Sequence, residues 1–147
     1  MEAWALYQNA VMFDRAYNLL QSQYRLGLKN GIPNYVQLVM PAFVNGAFTC
    51  ELCLKYLLPT TRRGHKLYSD LFIYLDPFIA NRVETGVIQI VRNTETKVYG
   101  HMEFVSDMKK HEQVFESFRY WHEDGSVAPD TVFQFDFIYA LECMLFA

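Results

Sequence analysis

One stretch limits the folds open to this chain more than any other. Residues 43–58, FVNGAFTCELCLKYLL, are apolar almost all round a helical wheel. Phe43, Ala47, Cys50, Leu54 and Leu57 fall on one stripe, and Val44, Phe48, Leu52 and Tyr56 on a neighbouring one. A helix of that kind has to be covered by others on most sides, which predicts that it lies at the centre of a helical assembly. Its only charges, Glu51 and Lys55, stand four apart in the order that suits an ion pair. With little solvent to receive them, the two are expected to be bonded to each other. Asn45 is a candidate to join them, and Gly46 lets a neighbouring helix approach closely.

The remaining segments supply the covering helices. Ala3, Leu6, Ala10, Phe13, Tyr17, Leu20 and Tyr24 recur at spacings of three and four, which predicts a long amphipathic helix over 3–24. Gly27, Asn30, Gly31 and Pro33 mark a turn, with Asn34 able to cap the central helix. Pro41 predicts a kink or a short first segment there. Gly64-His65-Lys66-Leu67 is read as opening a second helix with Leu67, Leu71, Phe72 and Leu75 inward. Asp76-Pro77 reads as an N-cap followed by proline at the first helical position. The β-branched run from Val87 to Val91 has no partner strand anywhere in the chain, so it is assigned to that same helix.

A further helix from about Met102 to Glu123 places Phe104, Met108, His111, Phe115, Phe118 and His122 on one stripe, and Asp124-Gly125 ends it. After Pro129, Asp130 or Thr131 caps a terminal segment that is apolar except for Asp136 and Glu142, and so is either deeply buried or part of a dimer interface. These segments predict an all-α fold, a single domain over 1–147, built as a mostly up-and-down bundle of about five or six helices with the 43–58 helix central.

Composition narrows the function. The 147 residues are 52% hydrophobic and 20% charged, enough apolar material for one domain to bury its own core. A net charge of -3 excludes a general nucleic-acid scaffold held by long-range charge, so any RNA contact has to be local. Aromatic residues make up 16% of the chain, more than a core of this size needs, and that surplus predicts a homodimer using the terminal helix or the 103–122 helix. Cys50 and Cys53 sit one turn apart in the most apolar helix and Cys143 makes an odd third, a pattern of packed, reduced thiols and a cytoplasmic setting. No second pair of ligands stands at zinc spacing, and neither a metal nor another cofactor is expected. No run of membrane length escapes interruption, so no membrane association is expected.

Three pieces of the chain carry a resemblance. Ala47-Phe48-x-x-Glu51-Leu52-x-Leu54-Lys55 on one helix, then Gly64-His65-x-Leu67, then Phe118-Arg119-Tyr120-x-x-Glu123 together resemble the HEPN superfamily, the higher eukaryotes and prokaryotes nucleotide-binding domains. The resemblance implies a helical domain in an RNA-directed stress, toxin-antitoxin or phage-defence role, with RNA, a nucleotide or a cognate protein as partner. Many such domains are metal-independent ribonucleases in which an Arg, four to six residues and a His act together, the His moving a proton and the Arg holding the phosphate as charge builds on it. This chain departs from that spacing: beyond Arg119 the corresponding positions are Asp124, Gly125 and Ser126, and His122 stands only three residues on. Catalysis, if retained, falls to Arg119 with His122 or His65. Tyr120, Arg62 and Arg63 would contact substrate, and Asn45, Glu51, Lys55 and Glu123 would support them.

Plainer readings stand beside each of these. Arg119 has Glu116, Glu123 and Glu112 at helical spacing and fits a solvated salt-bridge face. His122 fits a packed residue or a partner of the helix C-terminus. Arg62 and Arg63 before Gly64-His65 fit either a phosphate site at a helix N-terminus or ordinary loop charges, with His65 tying the loop to its neighbours. Non-catalytic binding of RNA, a nucleotide or a protein, and a purely structural helical dimer, are the readings from other classes.

Overall fold

In the computed structural model, residues 3–31, 38–124 and 135–147 are described, with the side chains of 39, 40, 113–124 and 135 left aside. Five α-helices follow one another: α1 Ala3–Asn30, α2 Val39–Leu57, α3 Pro77–Glu95, α4 His101–Asp124 and α5 Phe135–Leu145. Between α2 and α3 lie a π-helical turn, Leu67–Leu71, and a 3-10 turn, Phe72–Tyr74. Among the described residues there is no strand, so the all-α expectation holds and the run 87–91 is helical, inside α3.

The central place of α2 follows from its sequence. It packs against α1, α4, α5 and the π turn, and α3 closes the far side against α4 and α5. Ala42, Phe43, Ala47, Cys50, Leu52, Cys53 and Leu54 are buried, while Val44 and Tyr56 keep an exposed edge. Pro41 stands in the first turn, where its missing N–H has no intrahelical acceptor to serve, so α2 runs on without the predicted break. Leu38 holds the N-cap position without a side-chain bond. The predicted cap, Asn34, lies outside the described residues.

α1 and α2 form the most extensive pair. Phe13 meets Phe48 edge to face at 4.7 Å, and Gly46 faces the Tyr17 ring. A Cβ at Gly46 would stand 2.8 Å from that ring, which is itself buried. Gly46→Ala is therefore expected to destabilise by about 1–3 kcal/mol, the usual cost of overpacking. Urea denaturation reads this directly, and a loss below about 0.5 kcal/mol would show that the Tyr17 ring can yield.

α3 starts as its sequence says. Asp76 is the N-cap, its carboxylate accepting from Phe78 N at 3.0 Å, and Pro77 is the first helical residue. Val83, Val87 and Val91 line its buried stripe. The α3–α4 connection is held by Arg92 Nε donating to Tyr99 O at 2.6 Å and by Tyr99 Oη donating to Asp107 at 2.7 Å. On α4, Phe104, Met108 and His111 are buried as the stripe predicts, and His111 stacks on Phe137 of α5 at 4.8 Å. α5 is deeply embedded through Phe137, Ile138, Ala140, Leu141 and Leu145.

The segment after α2 differs from its prediction. No helix opens at Gly64; regular turns begin only at Leu67. Gly64 has φ +119°, outside the right-handed helical region, and a Cβ there would collide with Asp70. The predicted inward residues Leu67, Leu71, Phe72 and Leu75 are nonetheless all buried.

Candidate functional site

The C-terminal half of α2 carries a carboxylate almost sealed from solvent. Glu51 is 2% exposed, and both of its oxygens are engaged: Oε2 receives Lys55 Nζ at 3.4 Å and Oε1 lies 2.9 Å from His65 Nδ1. The first contact is the predicted i, i+4 pair. The second joins the helix to the loop beyond it. A carboxylate can only accept, so Nδ1 carries a proton and donates it, which sets the imidazole tautomer and leaves Nε2 as the available nitrogen. The His65 side chain is 57% exposed. The geometry is thus a half-exposed histidine held through Nδ1 by a buried acid.

Two more carboxylates shape the loop that presents His65. Asp70 Oδ2 accepts from the amides of His65 at 3.2 Å and Lys66 at 3.1 Å. Glu112 of α4, itself buried, accepts from Tyr68 N at 2.9 Å, Ser69 N at 3.1 Å and Ser69 Oγ at 3.0 Å. Protein carboxylates therefore fill the place at the start of these turns where an anion was expected from the sequence. Any phosphate near His65 has to be held by side chains.

Arg62 and Arg63 lie three and two residues before His65 on the same loop. The Arg62 guanidinium lies over the Tyr74 ring, its Cζ 3.3 Å from the ring centre. A cation–π contact of this kind holds the guanidinium in place. Its Nε is buried and makes no hydrogen bond among the described residues. Arg63, one residue before Gly64, is exposed.

The other predicted site residues are placed as follows. Asn45 donates from Nδ2 to Pro41 O at 2.7 Å, a bond local to α2, and joins neither Glu51 nor Lys55. Arg119, Tyr120, His122 and Glu123 belong to the last two turns of α4, and their side chains lie outside the described residues. Glu112, read from spacing as part of a solvated face around Arg119, is instead buried against the π turn. Reasoning from the sequence missed Asp70, Glu112 and Tyr74 as the residues that organise the 62–69 loop. Gly64 was the available signal, since a glycine between polar residues marks a turn as readily as a helix start.

No family model matches the chain, and neither a curated protein nor a solved structure shows significant similarity to it. No helix among the described residues is long and apolar enough to cross a membrane.

Proposed function

We propose that this is a HEPN-like protein that recognises RNA at the 62–65 loop and cleaves it without a metal ion, in a stress, toxin-antitoxin or phage-defence setting. The observation that carries the reading is the bond from His65 Nδ1 to buried Glu51, which orients Nε2 as a base at the surface. Nε2 takes the proton of a ribose 2′-hydroxyl, the 2′-oxygen attacks the adjacent phosphorus, and the bond to the 5′-oxygen breaks. The leaving oxygen takes up a proton, from the imidazolium or from a group on α4 such as His122, and the products are a 2′,3′-cyclic phosphate and a 5′-hydroxyl. Arg62 and Arg63 hold the phosphate, with Arg119 and Tyr120 as the α4 candidates for the same task. Glu51, engaged by both Lys55 and His65, is not free to bind a divalent ion, so cleavage is expected to persist in EDTA.

His65→Ala is expected to lower RNA cleavage by at least about 100-fold, the usual contribution of a positioned acid-base group. The ring is more than half exposed but bonds buried Glu51, so some loss of melting temperature is expected with it, and circular dichroism shows that the variant is folded at the assay temperature. Glu51→Gln should weaken cleavage less and shift its pH profile, because an amide holds the ring with a neutral acceptor. Equal cleavage by the parent chain and His65→Ala would remove His65 from the reaction. A binding role without chemistry is the second reading, favoured by the lack of a histidine four to six residues after Arg119. Retention of RNA or a nucleotide without cleavage, lost in Arg62→Ala or Arg119→Ala, would select it.

A further inference from the structure

We propose that the outer face of α1 is the contact surface for a second copy of this chain, packed antiparallel about a two-fold axis. α1 is the longest helix, 28 residues, and so about 42 Å at 1.5 Å per residue. Its inner face is covered by α2 and closed by Ala10 and Tyr17. Among the described residues, nothing covers the outer face. Trp4 is 64% exposed, Met12 58%, Leu19 64% and Leu26 48%. Met12, Leu19 and Leu26 recur every seven residues, which draws a nearly straight apolar seam along the helix. The one acidic residue described in this helix, Asp14, lies against Glu142 of α5. Exposed Trp and Met on an acid-poor face are what interfaces between proteins enrich.

Area and shape both favour a second copy as the occupant. The exposed parts of the seam and of Trp4 and Tyr7 come to roughly 600 Å², and the aliphatic stems of Gln8, Arg15 and Gln23 bring the face close to the ~800 Å² that one partner gives to a stable interface. Tyr7, Gln8, Val11 and Met12 outline a concavity of about 330 Å³ between two i, i+4 ridges. The same helix carries the matching projection one heptad on, at Leu19. In an antiparallel pair centred between Arg15 and Ala16, Leu19 of the second copy lies opposite Met12 and enters that concavity, and the two-fold axis makes the contact twice. The two Arg15 side chains meet near the axis and repel, so salt strengthens this association. Salt weakens RNA binding, which separates this face from an RNA surface. The inference is independent of the chemistry proposed at His65.

Sedimentation equilibrium of the full chain at low and high salt tests it. A dimer is expected at micromolar concentration, tighter at high salt. Leu19→Glu and Met12→Glu should each weaken it by at least about thirtyfold, the effect of removing a central hot spot, with the circular dichroism unchanged. Arg15→Ser should tighten it and remove most of the salt dependence. A monomer at all accessible concentrations would overturn the proposal. So would a dimer indifferent to Leu19→Glu, one dissociated instead by Tyr139→Glu on the exposed side of α5, or a Leu19→Glu effect confined to RNA retention. Loss of cleavage in His65→Ala with unchanged association, or the reverse in Leu19→Glu, keeps the two proposals separate.

Discussion

Replacing Glu142 by Gln is expected to stabilise the protein by about 2 kcal/mol at neutral pH and by more in mildly alkaline solution. Glu142 lies on α5, 6% exposed, with its carboxyl against Asp14 of α1 and its Oε1 without a hydrogen-bond partner among the described residues. Burial above all, then the hydrogen bond and the charge of Asp14, push its pKa up to about 10. A group raised above its unfolded value of about 4.3 contributes its full stability below that pH and loses it as pH rises through the folded value. Over that window the folded chain keeps a proton that the unfolded chain has released, and the cost grows by up to about 1.4 kcal/mol per pH unit. Gln keeps the shape, carries no proton to release and can donate to Asp14. His111 works in the opposite sense. Burial lowers its pKa to about 4, so its contribution is present above about 6.5 and is lost as pH falls towards 4. The two slopes oppose each other between about 4.3 and 6.5, and from about 8.5 the thiols of Cys50 and Cys53, whose pKa values burial raises, add a slope of the same sign as that of Glu142 in both proteins. Denaturation curves of the parent chain and Glu142→Gln should therefore coincide near pH 4 and diverge towards pH 9. A difference independent of pH would show that Glu142 is ionised in the fold.

Glu112→Ala is expected to cost about 3 kcal/mol, the loss of charge-assisted bonds to two partly buried backbone amides and one hydroxyl. Its effect should be felt 43 and 44 residues away, at Ser69 and Tyr68, rather than along α4. Hydrogen exchange at those two amides is the specific readout. They should lose protection well before the buried turns of α3 do. A cost below about 1 kcal/mol, with the two amides still protected, would mean that water replaces the carboxylate without loss.

The fold was largely legible because its main signals are local. The apolar wheel of 43–58 could only be satisfied at the centre of a bundle, and α2 is there. Asp76-Pro77 states a helix start within two residues, and the structure begins α3 at that point. The organisation of the candidate site was less so. Glu51 and His65 each stood out in the sequence, but nothing in a spacing of fourteen residues says that one bonds the other across a turn. Glu112 illustrates the difficulty most clearly. On a helical wheel it lies at the border between the buried stripe and the charged face, and only the arrival of the π turn decides which side it joins. Gly64 was read as the start of a helix from its neighbours, whereas the space taken by Asp70 gives it the opposite role. Asp14 and Glu142, two acids in contact, form a pair that charge patterning alone would reject.

Glu112, which closes the 68–69 backbone, also sets an order of events during synthesis. Leu67–Leu71 leaves the ribosome with two amides that have no partner until residue 112 follows, 43 residues after Ser69. At a translation rate of about 5–20 residues per second, that is a delay of roughly 2–9 s. Until α4 docks, the turns that follow His65 lack their anchor, and a nascent chain truncated before residue 112 cannot complete the loop. If the loop handles RNA, it stays incomplete at least until Glu112 has been made.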